Sequence, residues 1–129
     1  MSRLPRPFIA LLVAGALLGV FAGPAAASGP ASDPASARFE VRFMSAMIDH
    51  HAMAIEMAGL CPGRALHEPL LETCSTIIAA QSAEIADMQS WLSDWYGVSH
   101  SPMMRPGDER MLDRFAAMSG PAFEVEFME

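Results

Sequence analysis

Lysine is missing from this chain, and its eight basic side chains are all arginines, scattered along the sequence without a cluster. Binding a phosphate backbone needs a basic patch, so nucleic acid is not an expected partner. Cysteine is limited to Cys61 and Cys74. Their spacing is far from the Cys-x-x-Cys of a thiolate metal site. An even pair outside the cytoplasm points to a disulfide, with a thiolate metal site as the alternative. A bridge there would tie two helices at their shared end and add about 3 kcal/mol by the loop-entropy relation. Catalytic signatures are also lacking. There is no Glu-x-x-His of a di-iron carboxylate site, no His-Glu-x-x-His, no nucleophile elbow and no phosphate loop. Glu84 with His50 is chemically able to do acid–base work, but no substrate pocket follows from the sequence, and an enzyme is not expected.

The N-terminus has the form of an export leader. Arg3 and Arg6 precede an uninterrupted apolar run from Phe8 to Gly23, and Pro24-Ala25-Ala26-Ala27 supplies a small-residue cleavage site. Cleavage after Ala27 leaves no stable membrane anchor and places the product in the periplasm or outside the cell. The apolar run is short for a span of about 20 residues, although a retained anchor is the competing interpretation. Loss of Arg3 and Arg6 takes the formal charge of -7 to -9. The mature chain of roughly 100 residues buries only a modest core, so a covalent staple or a partner would help it.

Residues 28 to 37 read as a disordered Ser/Pro/Ala linker. A helix is predicted from Arg38 to Leu60, where Pro62-Gly63 breaks it. A second runs from Pro69 to Tyr96 and stops at Gly97, a left-handed cap. With so short a loop between them the two form an antiparallel hairpin over residues 38–97. Residues 98–121 make a connector containing His100, Met103 and Met104, then a short helix from an Asp108 N-cap to Met118, ended by Gly120-Pro121. The final stretch, 122–129, contains Phe123-Glu124-Val125-Glu126-Phe127-Met128, which repeats Phe39-Glu40-Val41-Arg42-Phe43-Met44 at five of six places. It reads as the start of a second repeat. A lone hairpin leaves an apolar face bare, so a homodimer or a missing second repeat is expected to cover it.

Chemistry concentrates in residues 43 to 58, a run without glycine or proline. At about 100° per residue, Phe43, Met44, Met47, Ile48, Ala54, Ile55 and Ala58 share an apolar face, opposite Arg42, Ser45, Asp49 and Glu56. His51 points into the apolar arc and His50 lies at its edge, with Met47 one turn before both. Imidazole and thioether groups on a buried seam suit copper better than magnesium or calcium. The expected ligand set is His50, His51, Met47, Met44 and Met57. On the second helix Gln81 interrupts an apolar stripe, and Glu84 at its edge lies one turn from both Gln81 and Met88. Buried polar groups need partners, and these residues are expected to complete the seam around the histidines. His100 with Met103 and Met104 is a possible secondary Cu(I) site, and His67 an expected solvated loop residue.

Phe43-Met44-x-x-Met47-Ile48-x-His50-His51-x-x-Ala54-x-x-Met57-Ala58, followed by Gln81-x-x-Glu84-Ile85-x-x-Met88-x-x-Trp91-Leu92, resembles the secreted bacterial family called domain of unknown function 305. That family includes CopM-like copper-binding proteins of the periplasm. The resemblance implies a ferritin-like four-helix bundle built from two similar hairpins, with the His-His pair as its functional feature. The expectation is thus an all-α fold: one antiparallel hairpin, half of such a bundle, plus a short third helix and the beginning of a second repeat. The expected function is copper binding, as Cu(I), Cu(II) or both, for sequestration or delivery. A metal-free helical module that oligomerises or contacts an envelope protein is the alternative, and a ferritin-like redox enzyme ranks last.

Overall fold

In the computed structural model, which describes residues 29–129, every regular element is helical. The leader expected at 1–27, and Ser28, lie outside the described residues. Helix α1 (Pro34–Gly59) begins earlier than its apolar periodicity predicts. Asp33 is the reason: its Oδ1 accepts the N–H groups of Ala35 and Ser36, both at 3.0 Å, and Pro34 suits the first helical turn because its missing donor costs nothing there. The last four residues assigned to a disordered linker are therefore helical. Helix α2 (Glu68–Tyr96) ends at Gly97, whose φ of 63° is left-handed. The N–H of Val98 there returns to the Leu92 carbonyl at 3.0 Å, closing the helix end.

The two long helices run antiparallel, and their register can be read from two contacts. Cys61 and Cys74 are joined by a disulfide. Ten residues back along α1 and ten forward along α2, His51 meets Glu84. Two apolar clusters flank that meeting point. At the open end of the hairpin Met44, Ile48, Met88 and Leu92 are buried together, with Met47, Ile85, Trp91 and Tyr96 packed around them. At the loop end Ala58, Cys61, Cys74, Phe115 and Phe123 form the second cluster. Each fully buried Ile, Leu or Phe side chain contributes about 1.5–3 kcal/mol.

Helix α3 (Pro106–Ala116) starts two residues before the expected Asp108 N-cap. Asp108 instead sits inside the first turn, where its carboxylate accepts the N–H of Arg105 at 3.0 Å. Gly120-Pro121, expected to end a helix, opens α4 (Gly120–Met128). Helices α3 and α4 close the loop end of the hairpin through Phe115 and Phe123, whose rings meet edge-on at 6.2 Å. The α1–α2 loop is pinned to them by Gly120 N–H to the Arg64 carbonyl (2.7 Å) and by Arg64 Nε to the Ala116 carbonyl (3.1 Å). At the opposite end Tyr96 donates its hydroxyl to Glu40 and accepts the Ala31 N–H at 2.9 Å. Trp91 and Trp95 stack at 5.6 Å near the same end.

One sequence expectation is corrected here. Phe43, placed on the broad apolar face of α1, is 52% exposed, and Phe39 one turn earlier is 60% exposed. Two helices cover only part of a wide apolar arc. Met44 and Ile48 face α2, while Phe43 lies on the flank that no other helix covers among the described residues.

Candidate metal-binding site around His51

The site lies between the two clusters, where each helix contributes a polar residue to an apolar seam. His51 is buried (6% exposed), and its Nε2 is 2.6 Å from Glu84 Oε2. An ionised carboxylate only accepts hydrogen bonds, so Nε2 is the donor in this pair, and in the neutral imidazole Nδ1 is then the lone-pair nitrogen. Among the described residues, buried Nδ1 has no hydrogen-bond partner, and the same holds for Gln81 Oε1. The antiparallel register read from the Cys61–Cys74 and His51–Glu84 contacts puts Ala54 level with Gln81. An unpartnered buried polar atom costs about 1–3 kcal/mol. Helical side chains lean toward the preceding turn, which for His51 carries Met47 and Ile48.

The expected ligands divide into three groups. Met44, Met88 and the half-buried Met47 belong to the cluster on the open side of His51. Met57 packs instead against the disulfide cluster on the other side. His50 is exposed, its ring centroid 6.0 Å from that of His51 at an interplanar angle of 63°. Adjacent helical residues diverge by about 100°, and the two imidazoles accordingly face different surroundings. Glu84 holds His51 in place, and Gln81 lies one turn away on the same helix. Among the described residues, no three His, Cys, Asp or Glu side chains converge into a metal-binding group.

The connector residues are arranged differently from a Met-rich metal loop. His100 Nε2 is 2.8 Å from Asp49 Oδ1, and the same oxygen accepts the Met103 N–H at 2.9 Å. Gln89 Nε2 donates to the His100 carbonyl at 3.0 Å. Burial alone would push the Asp49 carboxyl up. The bonds from His100 and Met103 outweigh it and hold the group below its ordinary 3.8. Asp49 therefore straps the connector across the hairpin, a role that its polar-face position in the sequence does not reveal. Met103 is 62% exposed.

A second unforeseen residue is Glu124. It is buried, and its Oε1 accepts the N–H groups of Leu66 (2.6 Å) and His67 (2.8 Å) while Oε2 meets His67 Nδ1 at 2.7 Å. The hydrogen bonds from the His67 backbone and ring hold its carboxyl below the ordinary 4.5. His67, expected as solvated, remains exposed on its outer side while making this pair. Glu124 satisfies donors at the entrance to α2, which has no side-chain cap of its own. Glu124 is the repeat counterpart of Glu40, which bonds Tyr96 at the other end of α2.

One family profile, described as a domain of unknown function (DUF305), matches residues 40–129. The chain belongs to that family. In this DUF305 chain the match runs from within α1 through α4 and so includes the whole His51–Glu84 seam. No curated protein and no solved structure matches the chain.

Proposed function

We propose that this DUF305 chain binds copper for sequestration or delivery. In this reading Cu(I) is held by His51 Nδ1 with the thioethers of Met47 and Met44, and Glu84 fixes the imidazole from behind. The supporting observation is the buried, unpartnered Nδ1 of a histidine whose other nitrogen is engaged by a carboxylate. Metal-bound histidines are characteristically oriented this way, with the second ring nitrogen bonded to a carboxylate. Thioether sulfur selects soft ions such as Cu(I) over hard ones. His50, on the exposed edge, would serve as an entry ligand or with His51 toward Cu(II). Met57 and Met88 border the seam, and His100, Met103 and Met104 form a secondary candidate only once the Asp49 strap opens. The leader-like sequence of residues 1–27, with Arg3 and Arg6 before an apolar run and Ala25-Ala26-Ala27 after it, supports placing this role outside the cytoplasm.

Titration of the purified chain with Cu(I) against a competing chelator tests the proposal. The expected result is binding that His51→Ala weakens by about ten- to a hundredfold. A bland alternative is that His51 is a hydrogen-bonded core residue. In that case His51→Ala lowers thermal stability and leaves copper affinity unchanged, which would refute the reading. The exposed Phe39 and Phe43 favour a second reading, association through an apolar face, which does not compete with metal binding.

A further inference from the structure

The repeated hexapeptide occurs in two environments, and the contrast identifies a docking surface. In α4, Phe123 is fully buried against the disulfide end of the hairpin, with Phe127 half-buried beside it. In α1 the equivalent Phe39 and Phe43 stack on each other at 6.0 Å and are more than half exposed. The same pattern is thus covered once by a hairpin's loop end and left bare once. Next to α4, that loop end still carries an open apolar groove of about 490 Å³, floored by Leu70, Thr73, Phe127 and Met128 and edged by the His67–Glu124 pair. Its volume lies in the range of natural binding clefts.

Charge points the same way. Arg38 and Arg42 are exposed on the same two turns of α1 as Phe39 and Phe43, along one side of that aromatic edge, whereas the exposed side chains of the first turns of α2 beside the groove include Glu68 and Glu72 and no cation. We propose that a second copy of this chain docks here, the Phe39–Phe43 edge of one copy entering the groove between α2 and α4 of the other. Aromatic anchors then fill an apolar cleft, while the arginines meet the glutamates at its rim. Every copy carries both halves, so two reciprocal contacts can close a dimer. The contact involves neither copper nor the His51 seam.

Sedimentation equilibrium of the purified chain, with a metal chelator present throughout, reads this directly. The expected result is concentration-dependent association that Phe39→Ser/Phe43→Ser weakens by about tenfold or more. Both side chains are exposed, so far-UV circular dichroism should stay unchanged. Arg38→Glu/Arg42→Glu should weaken association several-fold, and adding Glu68→Arg/Glu72→Arg should restore it. A chain that stays monomeric at every concentration overturns the proposal, as does a dimer indifferent to the phenylalanine changes. Failure of the charge swap to restore association removes the groove as the receiving surface. Because chelator is present, none of these outcomes bears on copper binding.

Discussion

Removing the disulfide offers a quantitative test of how the hairpin is held together. Cys61 and Cys74 lie 13 residues apart in sequence, and both are almost fully buried in the loop-end cluster. For a loop of that length, the chain entropy released to the unfolded state on removing the bridge is worth about 3 kcal/mol at 25 °C. Against a typical domain stability of about 5–15 kcal/mol this is a large share. At about 4–8 °C per kcal/mol for a domain of this size, Cys61→Ala/Cys74→Ala should melt roughly 12–24 °C lower. Urea unfolding followed at 222 nm, with the slope compared between variants, gives the free energy. A loss below about 1 kcal/mol would refute the entropic account, because it would mean the loop is already closed in the unfolded chain. The same variant tests what fixes the register. Ile48, Leu92, Met44 and Met88 pack on the far side of His51 from the bridge, so the His51–Glu84 contact should survive. Loss of the His51 imidazole proton signal characteristic of that bond would show that the disulfide, not apolar packing, sets the register.

Other outcomes follow from single side chains. Ile48 is fully buried at the centre of the open-end cluster, and Ile48→Ala should cost about 2–5 kcal/mol in urea unfolding. Glu124 has a folded-state carboxyl below its ordinary 4.5, so its contribution is full above that value and is lost as pH falls through 4.5 to the lowered folded value. Protection of the Leu66 and His67 amides, relative to their intrinsic exchange rates at each pH, should therefore fall over this acid range in the wild type, while Glu124→Gln should show low protection even at neutral pH. Glu84→Ala leaves His51 free to rotate and should lower Cu(I) affinity by about tenfold or more in the chelator titration. An equal affinity would detach Glu84 from the site.

The hairpin was legible because its limits are written in local chemistry. Pro62-Gly63 follows the end of α1 and left-handed Gly97 ends α2, and apolar residues from Leu70 to Trp95 keep one helical spacing on either side of Gln81. The meeting of His51 with Glu84 was foreseeable for a related reason: a polar residue beside the α2 stripe can reach the histidine on the α1 arc, whereas Gln81, which interrupts that stripe, finds no partner for its Oε1 among the described residues. Phe43 was misplaced because periodicity finds the apolar side of a helix but not how much of it a single partner covers. Asp49 and Glu124 were invisible for a different reason. Each carboxylate gathers backbone N–H groups from a segment more than fifty residues away in sequence, and no spacing rule encodes such a pairing. Asp33 capping α1 is the local counterexample, a carboxylate preceding Pro34 that a stricter search for N-caps would have found.

The distribution of aromatic residues determines which half of this molecule can be observed spectroscopically. Trp91, Trp95 and Tyr96 account for every tryptophan and tyrosine in the chain, and all lie on the last turns of α2. The disulfide end, with Phe115, Phe123 and Phe127, contains no indole or phenol. Emission and near-ultraviolet absorption therefore report the open end of the hairpin almost exclusively. Release of α3 and α4, or opening of the α1–α2 loop, would pass with little change in either signal. A tryptophan placed at Phe127 would light the dark half and separate the two ends in one unfolding experiment.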